Sequence, residues 1–326
     1  MGWYEAVGRR AFFSLDPERS HRLAHRLLGL PLPWRKLGGA VHDPALTTTL
    51  AGVSLRNPIG LAAGFDKSCA HLDALGSLGF GYVVGGTVTR APRRGNARPR
   101  IARDPARRAL VNTMGMPNPG AEAVARILAR TARTAPRFVS IADEPVADAL
   151  VTAELLEPFV DGIELNASSP NAGWEHASPH VAELMRALRA RTSKPLFVKI
   201  PPFSGGDEER VRAVSMATAA RDAGASGIVC ANTMPVTDAR MSTGRGGLSG
   251  GPLTAETPRL VAAIVDAVAG EVPVVACGGI FTAEDARRCM DAGAVVVQVY
   301  TALIYEGPGL LGSLTRGLAA TVRTMD

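Results

Sequence analysis

The 326-residue sequence has few cysteines, few aromatic residues and no long apolar run. No stretch reaches the ~18 uninterrupted apolar residues that a membrane-spanning helix needs. Glu5 and Arg9-Arg10 interrupt any apolar core of an N-terminal signal peptide. No CxxC pair is present, which argues against a cysteine-based zinc site and for a reducing compartment. The four cysteines are scattered: Cys69, Cys230, Cys277 and Cys289.

Several common sequence signatures are also missing. No GxGxxG follows a strand-like run and no GKS or GKT occurs, which excludes the classical dinucleotide-binding and P-loop patterns. The formal charge is +6, with seven Lys/Arg against three Asp/Glu in residues 1–36 and eight arginines against one aspartate in residues 89–109. Such clusters can contact nucleic acid, but they also occur as solvated faces. Without a nucleic-acid-binding motif we predict no nucleic-acid partner, and anionic lipid is the better candidate for residues 1–36.

From about residue 59 onward, short apolar runs alternate with helical patterns. Continuous Val/Ile runs between helices indicate parallel strands covered on both faces. About eight such units predict a (β/α)₈ barrel, an α/β fold. The predicted strands are 59–63, 82–87, 137–142, 161–166, 196–200, 227–231, 273–277 and 295–299. The predicted helices lie near 69–79, 120–134, 147–158, 177–192, 207–223, 255–269, 282–291 and 307–323.

Residues 1–36 have a different pattern. Apolar residues in 3–15 recur at helical spacing, and Asp16-Pro17 is a typical helix start for a second helix that ends near Gly29. We predict two short amphipathic helices that precede the barrel, with a domain division into 1–40 and 41–326. These helices either cover the bottom of the barrel or form a membrane-surface or lipophilic-substrate element, and composition leaves both open.

The carboxyl ends of the predicted strands are rich in small and polar residues, and active sites of such barrels lie at these ends. Lys199 stands inside an apolar strand, where a charge is costly unless it is paired. It either forms a salt bridge to a core acid or faces an anionic ligand. Gly278-Gly279 and residues 298–301 fit a phosphate site after strands 7 and 8, and 244–251 is predicted to be a glycine-rich loop. The residues alone predict a barrel enzyme with a phosphate-bearing cofactor.

Seven segments taken together resemble the membrane-associated, quinone-dependent class 2 dihydroorotate dehydrogenases. They are LDPERSHRLAHRLL, NPIGLAAGFDK, LGSLGFGYVVGGTVT, GNARPR, LNASSPN, GGLSGGPL and VYTALIYEGP. The resemblance covers nearly the whole chain. It implies an FMN-binding (β/α)₈ barrel with a helical N-terminal quinone-access extension, which oxidises dihydroorotate to orotate in pyrimidine biosynthesis. It also implies a cytoplasmic protein held peripherally at the inner face of the cell membrane.

The resemblance assigns site residues position by position. Ser169, in SSPN, corresponds to the catalytic base. A serine can act as a base only if the site positions it and passes its proton onward. The cofactor contacts would be Ala63, Gly64, Lys67, Thr87, Asn166, Lys199, Gly250, Gly278, Gly279, Tyr300 and Thr301. The substrate contacts would be Lys67, Asn112, Thr113, Met114, Gly115, Met116, Asn166, Asn171, Asn232 and Thr233, and no metal is expected.

Some positions depart from the family pattern. Ser140 stands at a flavin-contacting asparagine, and Ala231 at a position where threonine is common. In the substrate segment NTMGMPN, Thr113 replaces an arginine, Met116 an aromatic residue and Pro117 an asparagine. These changes leave open a related FMN enzyme that acts on a different small cyclic amide-like ring. A barrel that binds flavin or phosphate without turnover is a third hypothesis.

Overall fold

The computed structural model describes residues 4–142, 145–167, 178–203 and 206–325. After a single π-helical turn at Tyr4–Gly8, the elements alternate along the chain as the apolar pattern predicts. The strands are β1 (Thr48–Leu50), β2 (Val53–Leu55), β3 (Ile59–Leu61), β4 (Tyr82–Val88), β5 (Ile101–Asp104), β6 (Ala109–Asn112), β7 (Arg137–Ala142), β8 (Gly162–Asn166), β9 (Leu196–Lys199), β10 (Gly227–Cys230), β11 (Met234–Thr237), β12 (Arg245–Gly250), β13 (Val274–Cys277) and β14 (Ala294–Val299).

The helices cover the outside of the molecule and its N-terminal part. They are α1 (Arg9–Ser14), α2 (Pro17–Leu28), α3 (Trp34–Gly38), α4 (Leu72–Ser77), α5 (Ala121–Arg130), α6 (Val146–Leu156), α7 (Ser178–Arg189), α8 (Asp207–Asp222), α9 (Glu256–Ala267), α10 (Ala283–Asp291), α11 (Thr301–Glu306) and α12 (Leu310–Met325). Within the described ranges, no helix is long and apolar enough to cross a membrane.

Eight parallel strands close into a barrel, which confirms the predicted fold class. Their order around the barrel is β3, β4, β7, β8, β9, β10, β13 and β14, and β14 pairs with β3 to close the ring. All eight strands predicted from the Val/Ile runs are present, with shifts of one or two residues at their ends. Helices cover the outer face, as parallel sheets require.

The amino-terminal end of the barrel is closed. The β1–β2 hairpin buries Leu50 and Leu55 against the aromatic rings of Tyr82, Phe138 and Phe197 inside the barrel. Glycines on neighbouring strands leave room for these rings. A Cβ at Gly60 would lie 2.3 Å from the Tyr82 ring, and one at Gly227 would lie 2.4 Å from the Phe197 ring. In the described part of the chain, side chains thus fill this end of the barrel, and the polar residues collect at the opposite end.

A four-stranded antiparallel sheet, in the order β11-β12-β6-β5, lies beside the carboxyl end of the barrel. Its strands come from the segments that follow β4 and β10. The prediction of a glycine-rich loop at 244–251 was wrong, because Arg245–Gly250 pairs with β6 as strand β12. Its partner strand lies more than 100 residues away in the sequence. The segment itself, RGGLSG, lacks the alternation of apolar and polar residues that predicts a strand.

The N-terminal helices pack on this sheet. Asp16 accepts hydrogen bonds from the backbone N–H groups of Glu18 and Arg19 at 3.1 Å, and helix α2 ends at Leu28 with Gly29 as its C-cap, as predicted. Arg100 Nε lies 3.3 Å from the buried Glu18 carboxylate, and Arg103 donates to the Leu15 carbonyl at 2.9 Å. These contacts fix the helices over the mouth of the barrel. A third short helix, α3, was not predicted.

Candidate active site

One cavity of about 380 Å³ runs from the N-terminal helices into the mouth of the barrel. It brings together seventeen of the predicted site residues, although their roles remain predictions. These are Ala63, Gly64, Lys67, Thr87, Asn112, Met114, Gly115, Met116, Asn166, Lys199, Asn232, Thr233, Gly250, Gly278, Gly279, Tyr300 and Thr301.

Three predicted residues are not among those that line the cavity. Ser169 and Asn171 lie outside the described residues. Thr113 is 2 % exposed, and its hydroxyl lies 2.9 Å from the Thr243 hydroxyl. It also accepts a hydrogen bond from Asn96 Nδ2 at 3.1 Å, so its side chain links β6 to neighbouring segments.

A row of hydroxyl and amide groups forms one wall of the cavity. Asn166 Nδ2 donates to Thr87 Oγ1 at 3.0 Å, and Thr87 Oγ1 lies 3.0 Å from Ser140 Oγ. On the other side, Asn232 Nδ2 donates to Asn166 Oδ1 at 3.0 Å, and the Thr233 N–H donates to Asn232 Oδ1 at 2.8 Å. The row joins the ends of β4, β7, β8 and β10. It offers donors and acceptors together, which suits a flat ring with amide edges.

A buried ion pair lies at the floor of the cavity. Lys199 Nζ is 2.9 Å from Glu164 Oε1, and the two residues are 6 % and 1 % exposed. Gln298 joins them, because its Nε2 donates to Glu164 Oε2 at 2.9 Å and its Oε1 accepts from Lys199 Nζ at 3.1 Å. Burial opposes the charge on Lys199, but the Glu164 carboxylate outweighs it and raises the lysine pKa above its usual value. The predicted salt bridge to a core acid is therefore present, and the same lysine lines the cavity.

Backbone N–H groups and hydroxyls collect at the ends of β13 and β14. Gly278 and Gly279 both have positive φ, +128° and +67°. A Cβ at Gly279 would lie 2.3 Å from the Thr254 nitrogen, so only glycine allows this close approach of two chain segments. Thr301 Oγ1 donates to Ser249 Oγ at 2.9 Å at the start of α11. This combination of donors suits a phosphate.

Lys67 lies on a loop that Asp66 holds in place. The fully buried Asp66 carboxylate accepts hydrogen bonds from the Ser68 hydroxyl at 3.0 Å and the His71 N–H at 2.7 Å. The Lys67 amine donates to the Gly64 carbonyl. Burial, and secondarily the charge of Arg100, lower the pKa of Lys67 to about 8, although Asp66 opposes the shift. At neutral pH the loop therefore presents a cation to the cavity.

The outer part of the cavity is mostly apolar and lies under the N-terminal helices. Phe12, Phe13, Ala24 and Leu28 contribute from α1 and α2. Phe65 and Tyr300 stand where this part meets the barrel mouth, with their rings 5.6 Å apart. His21 lines the same junction, and burial, followed by the charge of Lys67, lowers its pKa to about 3. The imidazole is therefore neutral at physiological pH.

Comparisons with known proteins agree on one family. The family model described as dihydroorotate dehydrogenase matches residues 45–322. The chain belongs to the dihydroorotate dehydrogenase family.

Named relatives and solved structures lead to the same family. The chain is 40% identical over 337 residues to a protein of Anaeromyxobacter sp. (strain Fw109-5) named dihydroorotate dehydrogenase (quinone), covering 95% of this chain and 91% of that protein. A protein of Deinococcus deserti with the same name is 38% identical, covering 97% and 94%. The ligand-free structure of the dihydroorotate dehydrogenase (DHODH) from Eimeria tenella superposes with a TM-score of 0.82 at 28% identity, covering 95% and 96%. Its complex with ferulenol superposes at 0.80, also at 28% identity, covering 95% and 92%.

Several arginines of the segment 89–109 contact the N-terminal helices and α11. Arg98 and Arg100 pair with Glu18, and the Arg103 guanidinium lies 4.5 Å from the centre of the Phe13 ring. Arg108 pairs with Glu306 and lies 4.1 Å from the centre of the Phe281 ring. Much of this local positive charge therefore serves to attach the N-terminal helices and α11 to the sheet at the barrel mouth.

Two residues at the floor were not predicted to lie there: Glu164 was not named, and Gln298 was predicted within the phosphate segment 298–301 but contacts Glu164 and Lys199. Glu164 occupies an apolar strand pattern two residues before Asn166, and Gln298 does the same two residues before Tyr300. A signal was available, because buried charges need partners and Lys199 required one. Since side chains alternate along a strand, Glu164 shares the inner face with Asn166.

Proposed function

We propose that this protein oxidises dihydroorotate to orotate with a bound FMN and passes the electrons to a quinone. The observation that carries the proposal is that one continuous cavity joins a polar pocket in the barrel mouth to an apolar passage under the N-terminal helices. Two substrates of opposite polarity can thus reach one cofactor from two sides. The quinone-dependent relatives, at about 40% identity over nearly the whole chain, support this assignment.

The donors present fit FMN. Gly278, Gly279 and the hydroxyls of Ser249 and Thr301 would hold the phosphate, since backbone N–H groups and hydroxyls are its usual partners. Ala63, Gly64, Thr87 and Gly250 would contact the flavin ring and ribityl chain. Lys199 would offset the negative charge that the ring gains on reduction. When bound, the flavin supplies the hydride acceptor.

The polar wall and Lys67 would bind and orient the dihydroorotate ring. Asn166, Asn232 and Thr233 present amide and hydroxyl groups to the ring's own amide edges, and Lys67 pairs with the carboxylate. Asn112 and Asn171 are proposed to add further polar contacts. The backbone at Gly115 and Met116 is held at φ +70° and +53°, and such strained positions often occur at ligand sites. Ser169 would take the ring proton while hydride leaves the neighbouring carbon.

Turnover tests the proposal directly. Purified protein with dihydroorotate and a short-chain ubiquinone analogue should form orotate, followed by its ultraviolet absorbance, together with an equal amount of quinol. Absence of orotate from a protein that holds FMN would indicate the related alternative, a different cyclic amide-like substrate. Met116 favours that alternative, because it lines the cavity at a position where the family has an aromatic residue. If the protein binds FMN but no cyclic amide-like donor reduces it, the protein would be a non-catalytic flavin barrel.

The apolar passage is proposed to carry the quinone, which a matched pair of variants can test. Ala24 lines the passage on α2, whereas the neighbouring Leu23 is 38% exposed on the outside. A24W should block the passage and lower turnover with the quinone analogue by at least tenfold, while reduction of a small soluble dye stays near normal. L23W adds the same ring outside the passage and should leave both activities unchanged. Equal loss of both activities in A24W would contradict the assignment.

The N-terminal helices, within the proposed unit 1–40 ahead of the barrel at 41–326, are proposed to rest on the inner face of the cell membrane. Five of the seven large apolar residues most exposed in the described chain are Val7, Leu15, Leu23, Leu30 and Leu32. Exposed arginines on α2 lie among them. Apolar groups with cations favour an anionic membrane surface. The protein should float with phosphatidylglycerol-containing vesicles and much less with phosphatidylcholine vesicles. Binding to neither kind of vesicle would contradict this placement.

A further inference from the structure

Glu164 has no role in the proposed function, although it is a buried acid that lines the cavity. It lies on β8, and Lys199 lies on the adjacent strand β9. The carboxylate has two partners, Lys199 Nζ on Oε1 and Gln298 Nε2 on Oε2, each at 2.9 Å. Gln298 also contacts Lys199, so the three side chains from β8, β9 and β14 close a ring of contacts.

This ring is costly in a barrel interior. Removing two charges from water carries a penalty that their attraction often fails to recover, so a buried pair is weak evidence for a stabilising role. The layer directly below is aromatic, with Phe197 two residues before Lys199 on the same strand. Both charged side chains line the cavity rather than a closed part of the core. The pair is therefore placed where its charge acts on a bound ligand.

We propose that Glu164 is a positioning residue for the flavin, which acts through Lys199. It holds Lys199 as a fixed cation at the cavity floor, and its own negative charge offsets part of that cation's field. The inference rests on the proposed binding of FMN. In this arrangement the flavin meets a cation that is already in place before reduction. The carboxylate also keeps the cation from stabilising the reduced ring to the full extent, which leaves the electrons easier to pass on to the acceptor.

The groups that face Lys199 support this account. Among the described residues that face Lys199, Glu164 carries the negative charge. Burial alone would lower the pKa of Lys199, but the attraction of Glu164 raises it. The Cys277 thiol on β13 also faces the pair, and burial raises its pKa, so it stays neutral. Burial likewise keeps the Tyr82 phenol neutral by raising its pKa well above the usual value. Without the Glu164 charge, burial would dominate and Lys199 would lose its proton more easily.

The proposal predicts how many protons accompany flavin reduction. In the native protein Lys199 is charged in both redox states, so two electrons and one proton enter the flavin and the ring becomes anionic. In E164Q, Lys199 is partly neutral at high pH while the flavin is oxidised. It then takes up a proton when the ring becomes negative. Proton uptake should rise from one toward two per two electrons as the pH rises from 6 to 9.

The experiment measures the midpoint potential of bound FMN against reference dyes from pH 6 to 9, with no substrate present. At pH 6 the potential of E164Q should be higher than that of the native protein, because a negative charge near the ring is gone. In a Lys199→Met background the buried position 164 loses the cation that keeps a carboxylate charged there, so the difference between Glu and Gln should vanish. D43N is the matched control, because it too neutralises a buried carboxylate. Asp43 pairs with Arg323 and does not line the cavity.

An E164Q protein with the native potential at pH 6 and one proton per two electrons throughout would overturn the inference. So would an equal potential change in D43N. If E164Q does not retain FMN, E164D replaces it. The shorter carboxylate loosens the contact with Lys199, and the potential should shift in the same direction by less, whereas a native potential in E164D would overturn the proposal. A native protein that binds no FMN would instead refute the proposed function itself.

Discussion

Replacing Ser169 with alanine should leave FMN bound and slow its reduction by dihydroorotate about 10²–10⁴-fold, the usual contribution of a positioned general base. Ser169 lies outside the described residues, so the expectation rests on the family motif and on the site that precedes it. Asn166, at the end of β8, is fixed by Thr87 and Asn232 in the polar wall. Asn166, which stands three residues before Ser169 in the sequence, therefore lies at the proposed substrate site.

Ser168→Ala is the matched control, because it removes the neighbouring hydroxyl in the same SSPN segment. Stopped-flow measurement of flavin bleaching under anaerobic conditions separates this step from the later reaction with quinone. S168A should bleach at close to the native rate, and dithionite should still reduce the flavin of S169A. Native bleaching in S169A would remove this serine as the base.

Replacing Lys67 with methionine should raise KM for dihydroorotate about 10- to 100-fold, since hydrogen bonds to charged groups contribute about 1.5–3 kcal/mol. The lysine is proposed to bind the substrate carboxylate. Its pKa of about 8 adds a pH signature. Lys67 is cationic below that pH and neutral above it, so kcat/KM, which reports groups of the free enzyme, should fall as the pH rises through about 8.

K67M should lack this fall because the titrating group is gone. Lys36→Met, which removes an exposed lysine on α3, should keep both the native KM and the native pH profile. Steady-state measurements over pH 6 to 10 with saturating acceptor give both quantities. A native KM in K67M, or a decline above pH 8 that persists in K67M, would show that another group binds the carboxylate.

The barrel could be predicted from sequence because its signals are local. Each strand is a continuous Val/Ile run flanked by helical periodicity, and Asp16-Pro17 marks a helix start by its own chemistry. The sheet of β5, β6, β11 and β12 could not be predicted in this way. Leu110 and Ser249 pair across 139 residues, in strands of only four and six residues, the second of which is rich in glycine.

The site residues, like the strands, could be predicted where the sequence signal is local and not where it depends on contacts between strands. Lys67, Asn166, Lys199 and Asn232 were predicted from polar residues at strand ends, and all four line the cavity. Glu164 was missed because its strand reads as an ordinary buried run. The sequence left open whether Lys199 pairs with a core acid or faces a ligand. In the structure it pairs with Glu164 and also lines the cavity. Side-chain partners across a barrel depend on register, which single-strand patterns do not contain.

Anaerobic mixing of the purified FMN-loaded protein with L-dihydroorotate tests the central claim most directly. The account predicts that the flavin absorbance bleaches rapidly and that orotate appears in an amount equal to the flavin. It also predicts that a ubiquinone analogue added afterwards restores the oxidised spectrum. A flavin that dithionite reduces but dihydroorotate does not would contradict the account, and would show that the altered substrate segment 113–117 recognises a different ring.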